Sequence, residues 1–433
     1  MPRRLVAFTR PLRQSRMLRL SLLVFVSTSL VNVLGYAFQF VASHRLGVSN
    51  YGNLTALLAV VNVAIVPSAI LTTIVVKYAA EFRALGDLAH LKRLVEAILR
   101  YAGVVAALTL AVGFVFAGAI GGFLQIADRR SVLLCALLLA LNIVLPVLRG
   151  VMQGVEDFRA YVLSIGIEAA GKALLGVAAA VAGFGTQGML GGWCTGSAIA
   201  LAYSAATLLR RYRAVPEAPL FIDVRRLAQT TVNVAVATLV ITSLSNADLI
   251  IVKHVFDAKT AGLYGLVALA GKTLLFLVGF VPTIVLPRAA NAATSGGSPI
   301  GVLFQGTAVL VALAGGGLVF YALAPGLVIT ALGGHAYLAG AYLVLPYAVA
   351  MVLLAALNAV VSYKTGIHRF DFVLPLFAIG IGEIVTMSFV HDSPLHVVQI
   401  MIVGNALGLA LSLLRINAPL VNASRRRDEV PAA

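Results

Sequence analysis

Five ionisable residues fall inside long apolar segments of this 433-residue chain. They are Glu168, Lys172, Asp248, Lys272 and Glu383. An ionised side chain near the centre of a bilayer costs about 2.5–3.5 kcal/mol on insertion scales, so such residues usually face a bundle interior or a water-filled cavity. All five are therefore candidates for binding a charged ligand or for coupling an ion.

The two lysines differ in their nearest acidic neighbours along the chain. Lys172 follows Glu168 by four residues, which places both on one helix face and fits either a self-neutralising ion pair or part of a binding site. Lys272 has no acidic residue in its own apolar segment. It must pair with an acid on another helix, such as Asp248 or Glu383, or bind an anion.

The remaining acids have two interpretations each. Asp248 lies near one end of its segment, so it could extend to the membrane interface or take part in the site. Glu383 lies deeper and could pair with Lys272 or couple a cation. We assign Glu168, Asp248 and Glu383 to charge balance or ion coupling.

A stripe of uncharged polar residues marks the first apolar segment. Asn32, Tyr36 and Gln39 are spaced four and three apart, so they share one face of a helix. Such a stripe suits the hydroxyl groups of a sugar. Hydrogen bonding between helices, which contributes about 0.6 kcal/mol per contact on average, explains it equally well.

The elements that must position these residues are membrane-spanning helices. The chain is 61% hydrophobic and 11% charged, its mean hydropathy is +1.00, and a spanning helix needs roughly 20 apolar residues. On that basis we predict an all-α polytopic membrane protein with about twelve spans. The predicted spans are 19–42, 53–76, 101–122, 131–152, 161–183, 188–209, 229–252, 261–286, 301–324, 338–362, 372–390 and 395–414.

The distribution of positive charge predicts the topology. The net charge is +16, and the lysines and arginines concentrate in alternate connecting segments. By the positive-inside rule these segments and both termini lie in the cytoplasm, which places the protein in the cytoplasmic membrane. The basic residues of the predicted outer loops are Arg45, Arg129, Arg130, Lys253 and Lys259.

The two halves of the chain resemble each other. The segments 73–80 and 283–290 both begin Thr-Ile-Val and end Ala-Ala, and a Val-Pro pair precedes each. With six spans on either side of the polar segment 210–228, the repeats share one orientation, which implies pseudo-twofold symmetry about the membrane normal. We predict a lobe at 1–215 with spans 1–6 and a lobe at 216–433 with spans 7–12 and a short basic tail.

Several motifs of other protein classes do not occur in the sequence. It contains no phosphate-binding loop of an ATPase and no metal-binding spacing, and its two cysteines lie in apolar spans. We therefore expect neither an enzyme nor a protein with a cofactor, metal or nucleic-acid partner.

Three stretches resemble one transporter family. They are Asn246-Ala-Asp248 through Tyr264 to Lys272, Gly35-Tyr36 through Tyr51-Gly52, and Arg149-Gly150 through Phe158. In their order along the chain these stretches resemble the polysaccharide biosynthesis (Wzx, O-antigen flippase-like) proteins, which share a superfamily (MOP) with MATE exporters and the lipid II flippase MurJ. The resemblance implies two six-helix lobes, an amphipathic central cavity and alternating access.

The resemblance also implies a substrate, namely an oligosaccharide linked to polyprenyl pyrophosphate. Lys172 and Lys272 would then bind the pyrophosphate, and Asn32, Tyr36 and Gln39 the sugars. Two alternatives stay open: a cation-coupled exporter of organic cations, and a non-transporting subunit that recruits a glycan polymerase or glycosyltransferases.

Overall fold

The computed structural model describes residues 23, 26–216, 224–295 and 298–414, and within them the chain is helical without a strand. The first half contains α1 (Val26–Arg45), α2 (Val48–Ala64), α3 (Val66–Ala84), α4 (Leu88–Val115), α5 (Ala117–Phe123), α6 (Arg129–Gly154), α7 (Phe158–Ala170), α8 (Gly176–Val181) and α9 (Gly185–Tyr212). The second half contains α10 (Val224–Leu244), α11 (Ala247–Val255), α12 (Ala258–Leu277), α13 (Phe280–Ser295), α14 (Pro299–Leu323), α15 (Pro325–Gly333), α16 (Val344–Gly366), α17 (Val373–Phe389) and α18 (Pro394–Leu413). A π-helical turn at Gly171–Leu175 joins α7 to α8, and a 3-10 segment at His335–Leu343 leads into α16.

The predicted spans coincide with these helices. Eight helices of the described residues are long and apolar enough to cross a membrane, and two bent helix pairs raise that number to ten. The remaining two predicted spans, 188–209 and 372–390, correspond to α9 and to the shorter α17. The prediction of an all-helical, multi-pass membrane protein is confirmed, whereas the termini, and with them the predicted orientation, lie outside the described residues.

Two of the spans are broken helices. The axes of α2 and α3 differ by 41°, and so do those of α10 and α11. The first break is at Ile65, and Pro67 follows it in the first turn of α3, where the missing N–H of proline costs no helical hydrogen bond. The second break is at Asn246, whose φ of −138° and ψ of −20° interrupt the helix.

Several connections are fixed by aspartate side chains at helix N-termini. Asp87, Asp128, Asp157 and Asp257 each accept hydrogen bonds from backbone N–H groups in the first turn of the following helix. A carboxylate there satisfies donors that the helix leaves unpaired. The backbone N–H of His90 accordingly holds the pKa of Asp87 below its usual value.

The packing of the first half is repeated in the second. In the first half α6 packs against α3, α4 and α9, and α7 packs against α9. In the second half α16 packs against α13, α14 and α18, and α17 packs against α18. The predicted repeat segments 73–80 and 283–290 lie in α3 and α13, which are equivalent in this scheme. The lobe boundary at 215/216 borders the segment 217–223, outside the described residues, and stays a prediction.

The two halves meet mainly where α2 crosses α12. At the crossing, a Cβ on Gly52 would lie 2.7 Å from the backbone nitrogen of Gly262, and a Cβ on Gly262 would overlap the carbonyl oxygen of Val48. Glycine therefore allows the two backbones to touch. No comparable packing joins α3 to α13 within the described residues, although α3 also contacts α10. The described halves therefore pack most closely at the end of this crossing, which we call the closed end.

Polar contacts reinforce the closed end. The Lys253 ammonium donates to the carbonyl oxygen of Gln125 at 3.3 Å, and the Gln125 amide donates to the carbonyl oxygen of His254 at 2.6 Å. Ser43 donates to the carbonyl oxygen of Leu332 at 2.7 Å. Lys253, which the sequence places in an exposed outer loop, is only 1% exposed, because it is enclosed between the two halves.

Candidate functional site

The first half contains a buried ion pair that spans two helices. The Arg149 guanidinium on α6 donates to Glu168 Oε2 on α7 at 2.7 Å, and their side chains are 11% and 14% exposed. The other Glu168 oxygen accepts from Trp193 Nε1 at 3.0 Å and from Ser197 Oγ at 3.1 Å. Arg149 also donates to Ser164 Oγ and to its carbonyl oxygen, both at 2.8 Å. Both charges are thus neutralised and hydrogen-bonded.

Lys172 contacts aromatic rings. The spacing of four residues would also allow an ion pair with Glu168. The Lys172 ammonium lies 3.5 Å from the centre of the Trp193 ring and 4.8 Å from that of Phe38. It stands in the π-helical turn Gly171–Leu175, where the hydrogen-bond register of an α-helix does not hold. Of the two alternatives for these residues, the direct Glu168–Lys172 ion pair is not formed among the described residues: Glu168 accepts from Arg149, Trp193 and Ser197, and the Lys172 ammonium forms cation–π contacts.

The second half holds Lys272 at the break between α10 and α11. The Lys272 ammonium donates to Asn246 Oδ1 at 3.1 Å, and the same oxygen accepts from Asn62 Nδ2 of α2 at 3.3 Å. Asn246 in turn donates to Ser245 Oγ and to the carbonyl oxygen of Thr242. Lys272 is half-buried, and its only hydrogen-bond acceptor in the described part of the chain is this neutral amide. Because Asn62 belongs to the first half and donates to Asn246, this contact places Lys272 and Asn246 at the junction of the two halves.

Asp248 does not reach the membrane interface. It is fully buried, at 0% exposed, and its Oδ2 accepts from the Tyr347 hydroxyl at 2.8 Å. The Tyr347 ring meets Tyr264 edge to face at 5.5 Å, which encloses the carboxylate further. The interface position considered for Asp248 is therefore wrong. Asp248 and Lys272 attract each other electrostatically, but they form no direct ion pair among those found in the described residues.

Glu383 has a carboxylate oxygen without a partner. The residue is 6% exposed, and Oε2 is buried without a hydrogen-bond partner within the described residues. A Cβ on Gly404 of α18 would overlap that oxygen, so glycine makes room for the carboxylate. Glu383 also lines a groove of about 460 Å³ between α17 and α18, together with Thr386 and Gln399. Of the two alternatives for Glu383, the ion pair with Lys272 is not formed among the described residues, and cation coupling stays a prediction.

The polar stripe on α1 faces away from Lys172. Asn32 is exposed, Tyr36 and Gln39 are half-buried, and Oε1 of Gln39 is buried without a hydrogen-bond partner in the described part of the chain. Phe38, which contacts Lys172, lies roughly 120° around the helix from the stripe at 3.6 residues per turn. The structure therefore does not bring the predicted sugar-binding residues together with Lys172.

Sequence reasoning missed several residues of these clusters. Arg149 lay inside a predicted span but was assigned to the cytoplasmic charge. Asn62 and Tyr347 had no signal, since single polar residues are common in membrane helices. Trp193 did have a signal in the sequence, because it is the only tryptophan of the chain and lies between Gly192 and Gly196, a spacing typical of close helix packing.

The arrangement offers anion-binding chemistry without an evident metal site. Among the described residues, no group of three or more His, Cys, Asp or Glu side chains could hold a metal ion. The clusters provide two ammonium groups, Lys172 and Lys272, one in each half, and no carboxylate of the described part of the chain contacts either one directly. Such groups bind phosphate or carboxylate oxygens with charge-assisted hydrogen bonds.

Comparisons with known proteins identify the fold. No family model matches the sequence, and no curated protein matches it. Among solved structures, an inward-facing multidrug resistance MATE family transporter of the MOP superfamily superimposes with a TM-score of 0.69 and 13% identity, covering 91% of this chain and 96% of that one. The lipid II flippase MurJ in an inward closed conformation gives a TM-score of 0.64 and 12% identity, covering 92% of this chain and 88% of that one.

A third similar structure is the MATE multidrug transporter DinF-BH. Its TM-score is 0.63 at 11% identity, and the match covers 92% of this chain and 94% of that one. Identities this low show the fold alone. The protein is thus a multi-pass helical membrane protein with the fold shared by MATE and MurJ transporters of the MOP superfamily.

Proposed function

We propose that this protein is a flippase that moves a polyprenyl-pyrophosphate-linked oligosaccharide across the cytoplasmic membrane by alternating access. The transported oligosaccharide would be used in the synthesis of an exopolysaccharide, O-antigen or similar surface glycan. The observation that carries the proposal is the half-buried ammonium of Lys272, whose one hydrogen-bond acceptor in the described residues is Asn246 Oδ1 at 3.1 Å.

A pyrophosphate matches the chemistry of this position. A half-buried ammonium without a carboxylate in contact keeps donors for a ligand, and the interaction gains strength in a low-dielectric site. Lys172 would supply a second positive charge in the other half. It would exchange part of its contact with the Trp193 ring for a phosphate oxygen, since a cation–π contact contributes only about 0.5–2 kcal/mol.

The shape of the molecule supports alternating access. The two halves touch at the crossing of Gly52 and Gly262 and are not comparably packed at α3 and α13. The broken helices α2/α3 and α10/α11 lie at this junction, and the hydrogen bond from Asn62 to Asn246 joins their breaks. An anion that takes Lys272 from Asn246 would alter a contact between the halves, which would couple binding to movement.

The acids fit two supporting roles. Glu168 balances the charge of Arg149, and Asp248 balances part of the field of Lys272 without contacting it. Glu383 Oε2 has no hydrogen-bond partner among the described residues, so we assign ion coupling to Glu383. The sugars would contact Asn32, Tyr36 and Gln39, of which Gln39 has a buried oxygen free to accept a hydrogen bond.

Glycan display tests this function. A host that lacks its own flippase would receive this protein, its Lys272→Ala variant or the control Lys259→Ala, which changes an exposed lysine on the same helix. We expect the wild type and the control to restore glycan display and Lys272→Ala to fail at equal membrane levels. Rescue by Lys272→Ala would remove Lys272 from the transport path.

A second candidate is a cation-coupled exporter of organic cations. It is favoured by one observation, the unpartnered carboxylate of Glu383 beside a groove of about 460 Å³. An exporter would confer drug resistance when overexpressed and lose it in Glu383→Gln. Resistance without any effect on glycan display would select the exporter over the flippase.

A further inference from the structure

Two neighbouring cavities, a basic pocket and an apolar slot, lie between α4 and α9 on the surface of the first half, and we refer to them together as the groove. The basic pocket has a volume of about 350 Å³ and lies between α4 and α9. It is at the ends of these helices that the positive-inside rule assigns to the cytoplasmic side of the membrane. It is lined by Lys92, Val95, Glu96, Leu208, Arg210 and Arg213, among others. None of these residues takes part in the site described above.

The basic side chains of the pocket differ in whether they have a hydrogen-bond or ion-pair partner. Lys92 donates to the carbonyl oxygen of Val215 at 2.9 Å and lies 3.9 Å from Glu96, which Arg93 also approaches at 3.4 Å. The single acid of the pocket is thus already balanced. Arg210 and Arg213 are exposed and make no hydrogen bond or ion pair through their side chains with the described residues.

The apolar slot lies next to the basic pocket, on the side toward the membrane centre. It has a volume of about 440 Å³ and begins one helical turn further on both helices, at Leu99 on α4 and Ala205 on α9. It extends to Leu110 along α4, with α6 as its floor. The eleven steps from Leu99 to Leu110, at about 1.5 Å each, cover about 16.5 Å, which is close to the roughly 15 Å of hydrocarbon in one leaflet.

We propose that this groove binds one anionic phospholipid of the cytoplasmic leaflet. Arg210 and Arg213 hold the phosphate headgroup at the membrane surface, and an acyl chain lies in the slot along α4. Charge complementarity favours an anionic over a zwitterionic headgroup, because basic pockets between helices on this side attract anionic lipids. The slot length favours an acyl chain anchored in one leaflet over a soluble phosphate.

Lipid selectivity of the purified full-length protein tests the headgroup. Native mass spectrometry would compare retention of phosphatidylglycerol with that of phosphatidylcholine with the same acyl chains. We expect the double variant Arg210→Gln/Arg213→Gln to lower the preference for phosphatidylglycerol about tenfold. The control Arg45→Gln/Arg130→Gln removes two exposed arginines at the opposite end and should leave the preference intact. An unchanged preference in the first variant, or an equal fall in both, would overturn the proposal.

The acyl slot has its own variant. A Cβ on Gly103 would meet nothing within 4 Å, so Gly103→Phe fills the slot without a clash at the backbone. We expect it to lower retention of long-chain phosphatidylglycerol several-fold and to spare a dihexanoyl analogue, whereas Gly118→Phe, at an equally open glycine, changes neither. Unchanged long-chain retention in Gly103→Phe would overturn the acyl assignment. Displacement of phosphatidylglycerol by polyprenyl phosphate at lower concentration would assign the groove to an isoprenoid instead.

Discussion

At the scale of single residues, the Arg149–Glu168 pair is a buried ion pair that joins α6 to α7 in the first half. The pair is largely excluded from solvent, and every polar atom named in it has a partner. Removing one partner of a buried pair leaves an uncompensated charge, which costs about 3–5 kcal/mol. We therefore expect Glu168→Gln to lower the free energy of unfolding by that amount, measured by thermal unfolding in detergent.

A double-mutant cycle separates charge from packing at this pair. Arg149→Gln/Glu168→Gln removes both charges, so it should be more stable than Glu168→Gln alone. The pair Arg83–Glu156, whose side chains are 45% and 62% exposed, is the control, and Glu156→Gln should cost far less. Equal losses for Glu168→Gln and Glu156→Gln would contradict the burial of the first pair.

Trp193 provides an intrinsic probe of Lys172. It is the only tryptophan of the chain, and its ring lies 3.5 Å from the Lys172 ammonium. If pyrophosphate draws Lys172 from the ring, added polyprenyl pyrophosphate should change the tryptophan emission of the wild type. The Lys172→Met variant should show no such change at any ligand concentration, while Lys272→Met would show it at higher ligand concentration. No response in the wild type would exclude Lys172 from anion binding.

At the scale of elements, hydropathy predicted the helices well because a membrane span must be long and apolar whatever it packs against. Side-chain partners were harder to predict. Lys253 and Lys364, both assigned to connecting segments, are 1% and 0% exposed, and Lys364 pairs with Asp371 at 2.9 Å. Their burial depends on contacts with the opposite half or with a neighbouring loop, which no local pattern encodes.

Glycine packing between α9 and the π-helical turn is a second determinant at this scale. A Cβ on Gly192 would overlap the backbone of Gly176, and one on Gly196 would lie 2.9 Å from the carbonyl oxygen of Glu168. We expect Gly192→Ala to cost about 1–3 kcal/mol through overpacking, measured as a lower melting temperature. Gly191→Ala meets nothing within 4 Å and is the control; equal melting temperatures for both variants would contradict the close packing.

At the scale of the whole molecule, the crossing of α2 and α12 holds one end closed. A side chain at Gly262 would overlap the carbonyl oxygen of Val48, so Gly262→Val should separate the halves there. Thr55→Cys, at a position 7% exposed, would report the opening through labelling by a membrane-impermeant maleimide. The native Cys135 and Cys194 are buried and add little background.

We expect labelling of Thr55→Cys to rise several-fold when Gly262→Val is added. Adding Gly118→Val instead, at a glycine with open space around it, should leave labelling unchanged. Equal labelling with either valine would mean that the Gly262 crossing does not keep this end closed.

The symmetry between halves was only partly readable in the sequence. The matching segments 73–80 and 283–290 do lie in equivalent helices, α3 and α13. The equivalent packing around α6 and α16 has no visible sequence counterpart, because apolar side chains of many kinds satisfy the same contact. The hydrogen bond between Asn62 and Asn246 joins residues 184 positions apart and emerges only from the fold.

The most direct test of the central claim is the affinity of the purified protein for polyprenyl pyrophosphate. Lys272→Gln removes the charge beside Asn246, and a hydrogen bond to a charged group contributes about 1.5–3 kcal/mol. We predict binding about 10- to 100-fold weaker than in the wild type, partly restored in Lys272→Arg and unchanged in Lys259→Gln. Equal affinity of Lys272→Gln and the wild type would contradict the assignment of Lys272 to the pyrophosphate.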